Sequence, residues 1–179
     1  MSDHFALLGF EPRFAIDLDE LERRYHERSR AAHPDRVAGA AAGQRVAALN
    51  ESMALNEAYE VLRKPVPRAE YLLALHGVTI GDNEVLDPAF LADVLDAREE
   101  LAAAIAAGDR ARVNQLGADM QRRRDAAVAA LGELWRRFDD TGDRAALDEI
   151  KRELIRLRYV DRYLEQVDAA QDDDDDEDD

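Results

Sequence analysis

Four consecutive residues, His33-Pro34-Asp35-Arg36, place an imidazole and a carboxylate on either side of a proline. One chemistry this could serve is acid–base catalysis by His33 and Asp35. That would require the two side chains to meet beside a nucleophile or an oxyanion donor. Residues two apart on a turn need not meet, and no such donor pattern is evident in the chain. The other chemistry is recognition. Proline stiffens the turn, so His33 and Asp35 are held at a fixed place at the end of a helix. The segment before them carries Arg23, Arg24, Arg28 and Arg30, with Tyr25 and His26 among them. A helix of that composition has a positive face that attracts an acidic partner surface, with a fast and salt-sensitive encounter. His4, His26, His33 and His76 show no metal-ligand spacing, and cysteine is absent. That rules out disulfides, thiolate metal sites and a cysteine nucleophile, and fits a reducing compartment. No metal, no cofactor and no catalytic group are expected.

The elements that must hold these residues read as helices nearly throughout, since β-branched runs are missing and glycine is sparse. Asp17 with Glu20 three residues on predicts a capped helix start. Leu18, Leu21 and Tyr25 recur at helical spacing to about Ala32, where Pro34 ends the run. A loop rich in Ala and Gly covers 37–43. A second helix is predicted from Gln44 to Lys64, with Val46, Leu49, Met53 and Leu62 on its inward face. The pair forms an antiparallel hairpin with His33-Pro34-Asp35 at its mouth, covered on one side by the apolar segment from Phe5 to Phe10. A short apolar helix over 68–76 closes at Gly77, and Tyr71, Leu72 and Leu75 are expected to be buried between two parts of the molecule.

Beyond a linker over 77–86, Asp87-Pro88 makes a good N-cap followed by proline at the first helical position. Gly108 and the Thr141-Gly142-Asp143 turn divide the remainder into three helices, a three-helix bundle. On the first of them Phe90, Val94, Leu101 and Ile105 fall on one core stripe. Leu91 and Leu95 lie past its edge, beside Asp96 and Glu99. They either pack on a neighbouring helix or form a small mixed patch suited to a partner protein. On the last helix Leu147, Ile150, Leu154, Leu157 and Leu164 form the core face. Ile155, Tyr159 and Tyr163 form a second stripe.

Charge adds one more segment. The formal net charge is −16, and residues 172–179 are acidic without exception. Such a run has nothing apolar to bury and repels itself, which predicts a disordered tail over 170–179. No run of apolar residues is long enough for a transmembrane helix. The first residues lack the pattern of a secretory signal. No basic patch with interleaved aromatics suits nucleic acid.

Tyr25 eight residues before His33-Pro34-Asp35, the arginines around it, and Asn56-Glu57-Ala58-Tyr59-Glu60-Val61-Leu62 after the loop together resemble the J domain of the DnaJ family, over about residues 3 to 64. The stretch over 68–77, Phe90-Leu91, Arg98-Glu99-Glu100-Leu101 and Leu157-Arg158-Tyr159 with Asp161 resemble the HscB family of J-proteins, which serve iron-sulfur cluster assembly. That resemblance implies an all-α, bent or L-shaped molecule: a J domain with its joint helix over 1–76 and a scaffold-binding bundle over 87–169. It implies a non-enzymatic co-chaperone. His33, Pro34 and Asp35, with Tyr25, His26 and Arg24 on the docking face, would stimulate ATP hydrolysis by a DnaK-like chaperone, HscA. Leu91, Leu95, Asp96, Glu99 and Tyr159 would hold the IscU scaffold. Departures are Arg28 where the family has leucine, Tyr159 where it often has phenylalanine, and Ala92 and Ala103 where larger or acidic residues are usual. The absence of N-terminal cysteine pairs implies a bacterial cytoplasmic form. The alternative is a general J-protein presenting unfolded clients, but such proteins usually carry a Gly/Phe-rich linker or a zinc module, and neither is present.

Overall fold

A computed structural model of the chain describes residues 3–32, 39, 41–81, 84 and 87–175. The described residues form seven α-helices and no strand. They divide into two compact units, Met1–Val78 and Thr79–Asp179.

The first unit opens with α1 (His4–Leu8), whose N-cap Asp3 accepts a hydrogen bond from Phe5 N and whose end is turned by Gly9 at φ 75°. In α2 (Leu18–Ala31) the Asp17 carboxylate accepts from Glu20 N at 3.1 Å, satisfying one of the amide donors a helix start leaves open. α3 (Ala42–Arg63) stops where Lys64 is forced into extended backbone by the proline after it, and Pro65 then begins α4 (Pro65–Leu75). Helices α1, α2 and α4 all pack on α3. The core comprises Phe5, Leu8, Leu21, Leu55, Leu62, Leu72 and Leu73.

The inward face of α3 differs from the sequence expectation. Val46, Leu49 and Met53 are 57%, 51% and 62% exposed, and only Leu62 of the four is buried. The buried residues are Leu55, Ala58 and Leu62, all in the C-terminal half. They lie on the opposite side of the helix from Val46, Leu49 and Met53, at about 100° per residue. On the joint helix the Tyr71 hydroxyl accepts from His4 N at 3.0 Å and donates to Asp3 at 3.2 Å. Leu72 belongs to the same core, while Leu75 is 46% exposed. Arg68, buried on α4, donates to the Leu62 carbonyl at 2.5 Å and lies over the Phe14 ring. Burial pushes its guanidinium down to about 10, still charged at neutral pH.

In the second unit Asp87 caps α5 (Pro88–Ala106) by accepting from Ala89 N and Phe90 N. Asp109 caps α6 (Arg110–Thr141), and Gly142, at φ 66°, closes it before α7 (Ala145–Asp175). Leu131, Trp135, Leu147, Ile150, Leu154 and Leu157 are buried. A second cluster holds Leu101, Ala104, Val113, Leu116, Met120, Tyr163 and Val167. Gly117 is required where α6 and α7 approach, because a Cβ there would lie 2.8 Å from Val167 Cγ1. On α5, Ile105 is 42% exposed and Ala104 takes the core position expected of it. Ile155 and Tyr163 of the second α7 stripe are buried. Helix α7 runs into the acidic segment as far as Asp175, although charge predicted disorder from residue 170. Two contacts hold its last turns: Ala170 packs on the second cluster, and Gln171 donates to Asn114 on α6 at 2.7 Å.

Candidate functional site

Two surfaces carry the residues singled out by sequence, one on each unit. His33, Pro34, Asp35 and Arg36 lie outside the described residues, so the first surface is described from α2. There the Tyr25 hydroxyl donates to Asn56 Oδ1 at 2.8 Å, and its ring stacks on Tyr59 at 4.2 Å and 14°. Tyr25 is thereby fixed against α3 while remaining half-exposed. His26 is exposed beside Tyr25, with Nε2 3.5 Å from Glu22.

Arg24 and Arg28 are occupied at home. Arg24 donates to the Gly9 carbonyl, bonds Glu20 at 2.5 Å and lies 4.4 Å from the centre of the Phe10 ring. Arg28, itself exposed, donates to the Leu7 carbonyl, a backbone acceptor at the C-terminal end of α1. These two arginines, one turn apart, clasp that end of α1. The signal for this was present in the i,i+4 spacing opposite Gly9-Phe10, but a folded-back α1 was needed to read it. Arg23 is the more exposed cation, paired with Glu20 at 2.7 Å and Glu27 at 3.7 Å. Hydrogen bonds from Arg23 and Arg24 hold the Glu20 carboxyl below its usual range. This face of α2 therefore combines an exposed imidazole, a clamped tyrosine and paired charges.

On the second unit Leu91 and Leu95 are 40% and 52% exposed, one helical turn apart. Asp96 and Glu99 are exposed on the same helix. Leu91 and Leu95 are therefore not core residues of the bundle. Phe90, next to Leu91, turns inward, and Tyr159 on α7 meets it edge-on at 6.2 Å and 87°. Arg156 lies over the Phe90 ring and Arg162 over that of Tyr159. Tyr159 is thus brought beside the start of α5, where Leu91 lies. Beneath α5 is a cavity of about 220 Å³ walled by Phe90, Val94, Met120, Leu157, Val160 and Tyr163. Apolar leucines bordered by acids suit a protein surface with apolar and basic groups. Among the described residues no group of three His, Asp or Glu side chains is placed to hold a metal ion. No described helix is long and apolar enough to cross a membrane.

Comparison with known proteins divides the chain at a similar place. Residues 3–71 match the DnaJ domain, and residues 86–168 match the HSCB C-terminal oligomerisation domain. Among solved structures, the chaperone HscB from Vibrio cholerae superposes with a TM-score of 0.81 at 25% identity, covering 96% of this chain and 99% of that one. The human co-chaperone HscB gives 0.85 at 24% identity, over 96% of this chain and 83% of that one. The Jac1 co-chaperone from Saccharomyces cerevisiae gives 0.72 at 22% identity, over 94% of each. At their lower identities the last two show the fold.

Proposed function

The chain belongs to the HscB-type family of J-domain co-chaperones, and from that premise we propose that it activates one partner and delivers another. The first unit docks a DnaK-like chaperone, HscA. His33, Pro34 and Asp35 couple that docking to ATP hydrolysis, and Tyr25 and His26 lie on the docking face. Arg24, tied to Gly9 and Glu20, acts chiefly by fixing α1 against α2. The second unit holds the IscU scaffold of iron-sulfur cluster assembly through Leu91, Leu95, Asp96, Glu99 and Tyr159. The protein catalyses nothing itself and works in the bacterial cytoplasm.

The observation that carries this reading is the apolar pair Leu91 and Leu95, left exposed on α5 beside Asp96 and Glu99 while other residues form the buried core of the bundle. A client surface would cover the exposed half of each leucine. Cysteine is absent, so the chain has no thiolates to hold a cluster, which suits an adaptor better than a carrier. The test is steady-state ATP hydrolysis by HscA with this protein, with IscU, and with both. Stimulation by the pair beyond the product of the separate effects is the expected result. Equal synergy when an unfolded peptide replaces IscU would instead make it a general J-protein.

A further inference from the structure

The connection between the two units is not free along its whole length. Val78, the last residue of the first unit, donates its amide to the Leu73 carbonyl at 3.1 Å. Farther on, the Glu84 carboxylate takes two donors at one oxygen, Oε1. The Gly81 amide donates to it at 2.8 Å, and the Lys151 ammonium on α7 lies 2.8 Å away. Asp87 then caps α5. Between the held residues Val78 and Gly81 stand only Thr79 and Ile80.

An ion pair in open water contributes little. This one is sheltered, since the Lys151 and Glu84 side chains are only 25% and 26% exposed. The Lys151 hydrogen bond, followed by that of the Gly81 amide, holds the Glu84 carboxyl below its ordinary value of 4.5, and the Arg158 charge acts in the same direction. We propose that Glu84 and Lys151 form a clip that binds the linker to the bundle and so shortens the free tether between the two units. With the clip closed, three peptide spans separate Val78 from Gly81, a reach of roughly 10 Å. With it open, nine spans separate Val78 from Asp87, a reach of roughly 30 Å. The effective concentration of one tethered unit at the other falls as about the −3/2 power of tether length, so opening lowers it by up to about fivefold. A chaperone on the first unit and a client on the second are coupled through that concentration, a consequence that rests on the activation-and-delivery reading above.

The absence of cysteine allows the tether to be read directly. Spin labels at Ala47→Cys and Ala130→Cys, both exposed on helices, report the distance between the units in the full chain. The distance distribution is expected to widen in Glu84→Gln and in Lys151→Met, and to stay narrow in Lys151→Arg, which keeps the cation. Equal widths throughout would overturn the clip. The second measurement is the synergy between this protein and IscU in HscA ATP hydrolysis. It is expected to fall by up to about fivefold in the two opening variants and to be kept in Lys151→Arg. HscA stimulation without scaffold and the IscU Kd should be unchanged, because neither residue belongs to either binding surface. A widened distribution with full synergy would overturn the role of the clip in coupling. A wild-type protein without synergy would sink the activation-and-delivery reading instead, and the distance measurement would still decide the clip.

Discussion

Leu91→Ala combined with Leu95→Ala can be worked through from the exposures. Leu91 is 40% exposed and Leu95 52%, so about half of each side chain is already covered within the bundle and half is left for a partner. Full burial of a leucine is worth about 1.5–3 kcal/mol. The exposed halves then contribute roughly 0.7–1.5 kcal/mol each on binding, and together roughly 1.5–3 kcal/mol. At 1.4 kcal/mol per factor of ten, the scaffold Kd should rise by about 10- to 150-fold. The covered halves give a similar upper limit for lost stability, reduced by the better helix propensity of alanine. The double variant should therefore remain folded by circular dichroism, and its stimulation of HscA without scaffold should persist. Calorimetric titration with IscU is the assay. A folded variant with wild-type affinity would refute the argument by placing the site on another face of α5. A melted bundle would show that the covered halves matter more than their exposure implies.

Three further outcomes follow from other parts of the molecule. His33→Gln is expected to abolish HscA stimulation and leave the IscU Kd unchanged; a parallel loss of scaffold binding would contradict separate surfaces. Gly117→Ala should lower stability in urea by about 1–3 kcal/mol, because the new methyl meets Val167 Cγ1 at 2.8 Å and Val167, itself buried, has little room to yield; a gain, as helix propensity alone predicts, would show that α6 and α7 can separate freely. For Glu20 the folded carboxyl is held below its ordinary value of 4.5 by Arg23 and Arg24, so its contribution is present above that value and is lost as acid takes the pH down through the depressed one. Glu20→Gln should accordingly flatten the acid limb of the stability curve, and an unchanged limb would mean that these pairs contribute nothing.

Local chemistry made most of the helices legible before the fold was known. Asp17, Asp87 and Asp109 each cap the helix that follows, and Gly108 and Gly142 sit at the turns expected of them, with φ of 64° and 66°. These features are settled by bonds between residues a few positions apart, so the sequence contains both partners. The identity of the J domain was equally local, because His33-Pro34-Asp35, Tyr25 and the Asn56 to Leu62 stretch stand at readable spacings.

Which apolar residues the helices bury was a different matter. Val46, Leu49 and Met53 formed a good stripe by period, yet α1, α2 and α4 pack so that α3 buries only Leu55, Ala58 and Leu62. Helical periodicity says that residues share a face. It cannot say whether another element arrives to cover that face, since the covering residues lie far away in sequence. Ile105 gave way to Ala104 on α5 in the same manner. Arg24 donates to the Gly9 carbonyl and Arg28 to that of Leu7, contacts that could be read only once the C-terminal end of α1 was in place. The sequence by itself determined the helices, their caps and the motif that names the family. Only the tertiary structure decided which faces remained open, because exposure is a relation between elements distant along the chain.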